Sequence, residues 1–379
     1  MSPLWGSWSI HSAMVIGGCG FMGSHIVEQL LKESRLVSIT VVSRNPNGNH
    51  LDGVRYIQAD ITNAQSIKNV IAEAQPEVIF HAAAPRAIDG VNDASVFYRT
   101  IVEGTQHVLE EAATTPAVKA LIYTSTMAVH VGYEHFELAE DAPMWQENSK
   151  TFPYYKAKAL ADTMVRRANR PQDEKGNGLR TATLRLPMCY GERDTQGIPG
   201  QLETVLKGQT KIQLGNGRNL VEPLYAPNSA LAHVLTAKAL LASQKASLSP
   251  KVDGEAFFIT NGDPQPFWDF SRRIWQHVGD TTKPEDITVV SGQVALALSS
   301  MVEWAFYIFT LGLKKPPLNV TRLYIQYSIY NTTYSIRKAR TRLGYNPKID
   351  LDASLRSSIA STLDRDARFA DLKLTTINR

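Results

Sequence analysis

The chain has 379 residues, of which 43% are hydrophobic and 20% charged, and its formal net charge is +4. These values predict a globular protein of about two or three structural units with a large buried core. The charge is spread along the chain without dense Lys/Arg runs or interleaved aromatic residues, so we expect no nucleic-acid partner. The two cysteines, Cys19 and Cys189, are too few for a disulfide framework or a metal site. We expect reduced thiols, no bound metal and a cytoplasmic protein.

A glycine-rich turn lies near the start of the chain, in residues 14–23 (MVIGGCGFMG). Val15 and Ile16 precede it as the end of a buried strand, and apolar residues recur at helical spacing after it. A strand, a glycine turn and a helix in this order seat the pyrophosphate of a dinucleotide, because free amides at the helix start face the anion. The residues that we expect to bind the dinucleotide here are Gly17, Gly20, Phe21, Met22 and Gly23.

Short apolar runs alternate with helix-length segments as far as residue 190. The predicted strands are 39–42, 54–57, 78–80, 121–123 and 183–186, and the clearest helices are 97–113 and 156–170. This alternation predicts an α/β fold with a doubly wound parallel sheet of the Rossmann type, and ligands at the carboxyl ends of its strands. The alternation becomes irregular after residue 190, which predicts a smaller, mostly helical lobe for the other substrate.

These patterns divide the chain into four expected regions. Residues 1–12 lack the basic start and apolar core of a signal peptide and are a short N-terminal extension. Residues 13–190 are the dinucleotide-binding lobe, to which later segments return. Residues 191–365 are the substrate lobe, and residues 366–379 are a tail. The polar segment 170–178 (RPQDEKGNG) is expected to be a surface loop.

The strand within 121–126 (LIYTST) ends in three hydroxyl residues. Hydroxyls at the carboxyl end of a strand lie where a substrate carbonyl or alcohol meets a cofactor. A turn capped by side-chain hydrogen bonds is the structural alternative.

In 153–162 (PYYKAKALAD), Tyr154 and Lys158 are four residues apart on a predicted helix and point to one side. A nearby ammonium stabilises a phenolate, which lowers the pKa of a tyrosine toward the working range of a general base. A tyrosine and a lysine lying at a surface are the alternative. Tyr155 and Lys156 are adjacent and point in different directions.

The order of glycine turn, hydroxyl-ended strand and Tyr154–Lys158 pair resembles the extended short-chain dehydrogenase/reductase superfamily. Further segments are similar to the 3β-hydroxysteroid dehydrogenase/isomerase family, and within it most similar to the sterol-4α-carboxylate 3-dehydrogenases. These segments are 60–61 (DI), 81–84 (HAAA), 184–185 (LR), 190–194 (YGERD), 215–217 (GNG) leading to Tyr225 and Asn228, 254–257 (GEAF), 259–262 (ITNG) and 343–347 (LGYNP). The resemblance extends to about residue 360.

The resemblance implies roles for the hydroxyl, phenol and amine. Tyr154 would be the general base, and Lys158 would be its activator and a ligand of the cofactor ribose. The last hydroxyl of the family's Tyr-Thr-Ser-Ser stretch falls on Thr126, which we assign as the catalytic hydroxyl, with Ser125 as the fallback.

The resemblance also implies cofactor contacts beyond the glycine turn. Asp60 would accept a hydrogen bond from the adenine amino group, with Ile61 beside the ring. Ala82 and Ala83 would pass close to the ribose or the phosphates. His81 is expected to be structural, because that strand end serves the cofactor.

Two positions depart from the family pattern. Ser43 and Arg44 stand where members that use NAD place an acidic residue for the ribose 2′-hydroxyl, and a hydroxyl and a guanidinium suit a 2′-phosphate instead. We therefore expect NAD(P) as the cofactor, with a preference for NADP. Ile101 stands where related chains carry an Asn that orders a proton relay, so water-mediated proton release is in doubt.

The segment 294–313 (VALALSSMVEWAFYIFTLGL) is long enough to cross a bilayer but carries Glu303 at its centre. A central carboxylate costs about 2.5–3.5 kcal/mol on insertion scales, which disfavours a simple span. A helix in the membrane interface, such as that of the endoplasmic reticulum, or one lining an apolar substrate entrance fits better. A buried helix pair in the second lobe is an equal alternative.

The expected function is oxidation of a secondary alcohol, the 3β-hydroxyl of a sterol or polycyclic terpenoid, with loss of a carboxylate at C4 where one is present. The expected partner is a lipid-like small molecule, and homodimer formation is left open. One alternative is an NADPH-dependent reductase of small aromatic or flavonoid-like carbonyls. Sugar-nucleotide epimerisation is disfavoured because the second half shows no diphosphate clamp. A non-catalytic nucleotide-sensing module is the alternative of another class.

Overall fold

The computed structural model describes residues 8–86, 93–171, 178–243, 251–311, 316 and 320–375. The fifteen strands of this described part are β1 Ser12–Ile16, β2 Ser38–Ser43, β3 Arg55–Gln58, β4 Val78–His81, β5 Ala120–Thr126, β6 His135–Leu138, β7 Arg180–Leu186, β8 Cys189–Tyr190, β9 Ile212–Leu214, β10 Leu220–Val221, β11 Leu224–Tyr225, β12 Glu255–Phe258, β13 Gln265–Pro266, β14 Thr288–Val290 and β15 Thr332–Tyr334. Seven of these strands form a parallel sheet in the order β12-β7-β5-β4-β1-β2-β3.

The α-helices of the described residues are α1 Phe21–Leu30, α2 Ala64–Ala74, α3 Ala94–Phe97, α4 Gly104–Thr114, α5 Pro153–Arg167, α6 Gly197–Leu206, α7 Ala226–Ser243, α8 Phe267–His277, α9 Gly292–Phe309, α10 Arg322–Ile329, α11 Arg337–Leu343 and α12 Leu351–Arg365. A π-helical turn, Tyr98–Glu103, joins α3 to α4. The helix predicted over 97–113 therefore exists, with an irregular first turn and a half.

The large sheet is covered on both faces, as the near-continuous apolar strands require. Alternate residues of each strand point to opposite faces, so Phe80 and Ile122 pack with α1 and α7, whereas Ile79 and Leu121 pack with α2, α4 and α5. The predicted doubly wound parallel sheet of the Rossmann type is confirmed. The helix expected over 156–170 begins three residues earlier, at Pro153, whose fixed φ suits a first helical turn.

The second lobe combines helices with short strands. Its small sheet runs β13-β10-β15-β6, and two further pairs are β11-β8 and β14-β9. One of its strands, β6, comes from before residue 190, while β12 and α7 come from after residue 190 and belong to the large sheet's lobe. The chain thus crosses between the lobes several times, which places both lobes around one cleft.

Helix α9 presents an apolar face to solvent. Among its described residues only Ala295 and Ser299 are buried, while Met301 is 67% exposed and Phe309 is 88% exposed. The alternative of a buried helix pair is therefore wrong. In the described part of the chain, α9 alone has the length and apolar composition that a membrane span needs. Residues 312 and 313 of the predicted apolar segment lie outside the described residues.

The carboxylate at the centre of α9 faces the next helix. Glu303 accepts a hydrogen bond of 2.9 Å from the backbone N–H of Arg322, the first residue of α10. The Arg322 guanidinium in turn donates to the Ser300 hydroxyl at 2.7 Å. An acidic group is stabilised at a helix N-terminus, so the start of α10 compensates the charge of Glu303. The outer face of α9, which points away from α10, is left apolar.

Candidate active site

A cavity of about 710 Å³ lies between the lobes, at the carboxyl ends of the parallel strands. Ligands of doubly wound sheets bind at this edge. One wall of the cavity consists of the glycine turn and the ends of β4 and β5, and the opposite wall comes from the second lobe. The volume is in the range of ligand sites that take a cofactor or a drug-sized molecule.

The glycine turn closes against the end of β4. Gly17 has a φ of +86°, and a Cβ there would lie 2.8 Å from the Ala83 Cα atom. A Cβ on Gly23 would lie 2.2 Å from the Gly17 carbonyl oxygen, so only glycine allows α1 to start here. All five predicted residues of the turn line the cavity: Gly17, Gly20, Phe21, Met22 and Gly23.

The start of α1 fits a phosphate group. Its N-cap is Gly20, and no side chain caps the first turn. Uncapped amides at a helix start bind anions, so the cradle matches the pyrophosphate of a dinucleotide. Ala82 lines the same wall and donates its backbone N–H to the Ile16 carbonyl at 2.9 Å.

Five further predicted cofactor residues are not among the residues that line the cavity: Ser43, Arg44, Asp60, Ile61 and Ala83. Ser43 donates to the Asn45 carbonyl at 3.1 Å, and Arg44 is exposed at the end of β2. Asp60 accepts from both the backbone N–H and the hydroxyl of Thr62 at 2.9 Å.

Ile61, another of these residues, is buried. A Cβ on Gly104 would lie 2.8 Å from its Cγ1 atom, so the Ile61 side chain packs beneath α4. The Ile61 carbonyl accepts from His107 Nδ1 at 2.9 Å.

Asn49 and Arg86 are among the cavity residues that the sequence interpretation missed. Asn49 belongs to the loop after β2 and donates from Nδ2 to the Cys19 carbonyl at 2.8 Å. Arg86 follows β4 and also lines the cavity. Neither belongs to a recognisable motif.

Tyr154 and Lys158 point into the cavity from α5, as predicted from their spacing. The Tyr154 ring packs edge-on against Phe97, with ring centroids 5.7 Å apart. Lys158 Nζ donates to the Thr124 carbonyl at 2.9 Å and lies 4.7 Å from the centre of the Tyr123 ring. Tyr155, one residue along the helix, lines the cavity as well.

Burial shifts the pKa of both groups toward the uncharged form. It raises the pKa of Tyr154 well above its ordinary value. It lowers the pKa of Lys158 to about 7, and the carboxylate of Asp162 opposes that shift. Burial therefore favours a neutral phenol at Tyr154 and an amine at Lys158 that exchanges its proton near neutrality.

The two candidate hydroxyls have different surroundings. Ser125 is buried, and its Oγ atom donates to Asp162 Oδ2 at 2.8 Å. Ser125 and Thr126 both line the cavity, and the Thr126 Oγ1 atom accepts from the Ala128 backbone N–H at 3.3 Å. That acceptor contact leaves the hydroxyl proton of Thr126 free to meet a substrate oxygen.

Asp162 and Arg185 form a buried ion pair behind these hydroxyls. The carboxylate is fully buried and accepts from Arg185 Nε at 3.0 Å and Arg185 Nη2 at 2.8 Å. Arg166 Nε donates to the same carboxylate at 2.9 Å. The sequence interpretation missed this pair because its members lie on α5 and β7, 23 residues apart.

His81 is structural, in agreement with its expected role. It is fully buried, its Nε2 atom lies 3.1 Å from the Thr105 hydroxyl, and burial lowers its pKa to about 3. Ile101 lies buried in the π-helical turn, and its carbonyl accepts from the Thr105 hydroxyl at 2.5 Å. The carbonyl at the position of the family's relay residue is thus already bonded within the helix.

The opposite wall of the cavity is apolar with scattered phenols and one histidine. The side chains on this wall include Tyr133, His135, Tyr155, Met188, Cys189, Leu323, Gln326, Tyr327, Thr332 and Tyr334. Large apolar surfaces with a few polar groups are typical of sites for lipid-like molecules. The geometry therefore combines a dinucleotide cradle, a Thr–Tyr–Lys group and an apolar substrate wall.

Two solved structures share the fold of this chain. The UDP-glucose 4-epimerase of Thermotoga maritima with UDP-glucose superposes with a TM-score of 0.66 at 20% identity, covering 93% of this chain and 98% of that one. The UDP-glucose 4-epimerase of Thermus thermophilus in complex with NAD gives a TM-score of 0.65 at 19% identity, over 94% and 99% of the two chains. Identities this low show the fold alone.

Sequence comparison is more specific. The sterol-4-alpha-carboxylate 3-dehydrogenase, decarboxylating, of Schizosaccharomyces pombe is 33% identical over 93% of this chain and 97% of its own. The mouse protein of the same name is 30% identical over 92% of this chain and 90% of its own. The model of the 3-beta hydroxysteroid dehydrogenase/isomerase family matches residues 14–288. This chain therefore belongs to the 3-beta hydroxysteroid dehydrogenase/isomerase family.

Proposed function

We propose that this chain is an NAD(P)-dependent oxidoreductase that oxidises the 3β-hydroxyl of a sterol or related polycyclic terpenoid and promotes loss of a carboxylate at C4. The observation that carries the proposal is the convergence of Thr126, Tyr154 and Lys158 on one cavity, between the glycine turn and an apolar wall. The names of the relatives favour this alcohol oxidation over carbonyl reduction and over nucleotide sensing.

Thr126, Tyr154 and Lys158 have different roles in the proposed oxidation. Thr126 donates to the substrate oxygen and holds it against the Tyr154 phenol, which takes the hydroxyl proton as its phenolate. Lys158 stabilises that phenolate and binds the cofactor ribose. When bound, the oxidised nicotinamide supplies the hydride acceptor and a positive charge that favours the phenolate. The alcohol loses a hydride and a proton, and a ketone remains.

The decarboxylation needs no further catalytic group. Oxidation of a 3-hydroxyl beside a C4 carboxylate produces a β-keto acid. The bond from C4 to the carboxylate breaks, its electron pair enters the enolate of the new ketone, carbon dioxide leaves, and C4 takes up a proton. Thr126 and Tyr154 already lie at the ketone oxygen and stabilise the enolate.

We propose NADP as the preferred cofactor. Arg44 is exposed at the end of β2 and carries the charge that a ribose 2′-phosphate requires, and no acidic side chain follows the strand directly. Replacing Arg44 with Asp is expected to shift the ratio of kcat/KM values from NADP toward NAD.

We also propose that α9 contacts a membrane surface, such as that of the endoplasmic reticulum, without crossing it. Its exposed residues include Leu298, Met301, Trp304, Ile308 and Phe309. An apolar helix face with an aromatic residue inserts into the boundary between headgroups and acyl chains, where a sterol substrate also resides.

Purified protein with a 4α-carboxy-3β-hydroxysterol and either NAD or NADP tests the main proposal. Absorbance of the reduced cofactor should rise, and mass spectrometry should detect a ketone that has lost two hydrogens and carbon dioxide. Absence of cofactor reduction with any 3β-hydroxy polycycle would overturn the proposed substrate class.

A further inference from the structure

One histidine lies among the phenols of the substrate wall. His135 is the first residue of β6, at the edge of the small sheet, and pairs with Thr332 of β15. Its ring packs against Tyr334 with centroids 5.8 Å apart, and the residue is only 6% exposed. It nevertheless lines the cavity, so its remaining surface faces the site of the substrate.

The His135 ring has no partner among the described residues. Its backbone N–H donates to the Asn331 carbonyl and its carbonyl accepts from the Thr333 hydroxyl, but no hydrogen bond in the described part of the chain involves its ring nitrogens. Buried polar side chains are nearly always hydrogen-bonded. A nine-tenths buried imidazole that faces a cavity without a partner therefore points to a ligand.

The other cations of the cavity are on the cofactor side or already occupied. Lys158 donates to the Thr124 carbonyl, and Arg193 pairs with Glu28 of α1. Arg86 follows the end of β4 that abuts the glycine turn. The Ser361 hydroxyl accepts from the Arg193 backbone N–H, which places Ser361 on the cofactor side of the cavity. Arg365 is one helical turn after Ser361 and therefore lies on the cofactor side as well. His135 is left as the basic side chain of the substrate wall in the described residues.

We infer that His135 binds the carboxylate of the substrate and makes this chain select carboxylated alcohols over their carboxyl-free analogues. The inference rests on the proposed function and names a specificity-determining residue for it. An imidazolium donates a charge-assisted hydrogen bond to a carboxylate, and in an apolar cavity such a bond is about twice as strong as a neutral one. A hydrophobic wall alone discriminates poorly between such substrates, whereas a site built around a polar contact discriminates well.

Neighbouring groups leave the ring available for this role. Glu134 directs its carboxylate at the Asn331 side-chain amide, 3.1 Å away. Tyr334 is the phenol beside the ring, and burial raises its pKa above the ordinary value. His130 is held by Arg185 and the Ala142 carbonyl. Burial lowers the pKa of His135, and Glu134 opposes that shift. A bound carboxylate acts in the same direction as Glu134 and favours the imidazolium.

Three variants and two substrates test the inference. His135→Phe keeps the ring packing on Tyr334 but removes the N–H donor, and His135→Gln keeps a neutral donor. His11→Phe replaces a histidine whose side chain is 63% exposed, far from the cavity, and serves as the control. The substrates are a 4α-carboxy-3β-hydroxysterol and the same sterol without the carboxylate, each assayed for KM and kcat with saturating cofactor.

We expect His135→Phe to raise KM for the carboxylated sterol about tenfold or more, with kcat/KM for the carboxyl-free sterol changed less than about twofold. His135→Gln should fall between wild type and His135→Phe, and His11→Phe should match wild type. Equal losses on both sterols, or no change on either, would overturn the role of His135 alone. Wild-type protein that oxidises neither sterol would instead overturn the proposed function, and the inference with it.

Discussion

At the scale of residues, Tyr154 is the proposed general base, which takes the substrate proton in the proposed mechanism. Tyr154→Phe keeps the packing against Phe97 and removes the phenol oxygen. We expect kcat to fall by about 10²–10⁴-fold, the usual contribution of a positioned base. Dinucleotide affinity, measured by quenching of tryptophan fluorescence, should stay within about twofold of wild type. A variant with near-normal turnover would contradict the assignment of the base.

The hydrogen bonds of Ser125 and Thr126 distinguish two hydroxyls that the sequence alone left as first choice and fallback. Thr126→Val removes the proposed catalytic hydroxyl, and we expect kcat to fall about 10²–10³-fold. Ser125→Ala removes a hydroxyl already bonded to Asp162, and kcat should fall less than about fivefold. Steady-state kinetics of both variants provide the test, and the reverse order of effects would exchange the two roles.

Asp162 shows how a buried charge supports the same residues. Burial opposes its ionisation, but Arg185, Arg166 and Ser125 outweigh burial and lower its pKa to about 2. Asp162→Asn leaves Arg185 buried without a carboxylate, so the free energy of unfolding at pH 7 should fall by about 3–5 kcal/mol. Urea unfolding measures this loss.

The loss of unfolding free energy in Asp162→Asn is expected to become smaller as pH falls. The folded-state pKa of Asp162, about 2, lies below the unfolded value of about 3.9. The stability contributed by its ionised form is therefore complete above about pH 4 and is lost as pH falls toward 2, so wild type and Asp162→Asn should converge there. Glu73→Gln, which breaks the exposed pair with Arg55, is the control, with an expected cost below about 1 kcal/mol. A constant gap at all pH values would contradict the charge-based explanation.

At the scale of elements, the outer face of α9 packs against no other segment of the described residues, although its inner face contacts α10. The triple replacement Met301→Ser, Trp304→Ser and Phe309→Ser changes residues that are 65–88% exposed, so the fold should tolerate it. We expect binding to phospholipid vesicles, measured by co-sedimentation, to weaken at least about tenfold. Activity on a detergent-solubilised alcohol should be unchanged. Val37→Ser, at an 83% exposed residue of the other lobe, is the control; equal vesicle binding by all three proteins would exclude α9 as the contact.

A comparison of predicted and observed elements shows which of them local sequence patterns can predict. Six of the seven strands of the large sheet were predicted within a few residues, because their apolar runs are bounded by turns and buried on both faces. The seventh, β12, was not predicted as a strand. The π-helical turn was not predicted, because a segment this short does not give a recognisable spacing of apolar residues. The two-residue strands of the second lobe, such as β10 and β13, were also missed, because so short a run has no periodicity.

At the scale of the molecule, the two lobes are joined beside the cofactor site. Arg193, with a positive φ of 65°, donates to Glu28 at 2.7 and 2.8 Å and to Ser24 at 3.0 Å, both on α1. Its backbone N–H donates to Ser361 of α12 at 3.0 Å. The helix that receives the pyrophosphate is thus bonded through one arginine to the substrate lobe.

This connection predicts that cofactor binding stabilises the whole chain. At a concentration of 100 times Kd, a ligand adds about 2.7 kcal/mol to the free energy of unfolding, so Tm should rise by about 3 °C or more. Gly20→Val fills the anion cradle and should remove the shift while leaving the Tm without cofactor within about 2 °C. Differential scanning fluorimetry measures both. A cofactor-induced shift of normal size in Gly20→Val would show that the dinucleotide binds elsewhere.

Strand period, glycine spacing and one turn of helix are local properties, so the doubly wound sheet, the glycine turn and the Tyr154–Lys158 pair could be predicted from the amino-acid order. Packing between elements was needed to show that Ser125 bonds to Asp162, that Asp162 pairs with Arg185, that His135 lines the cavity and that the apolar face of α9 points outward. Each of these depends on a contact, or on the lack of one, between elements distant in the chain. Such contacts arise from packing and carry no periodic signal along the sequence.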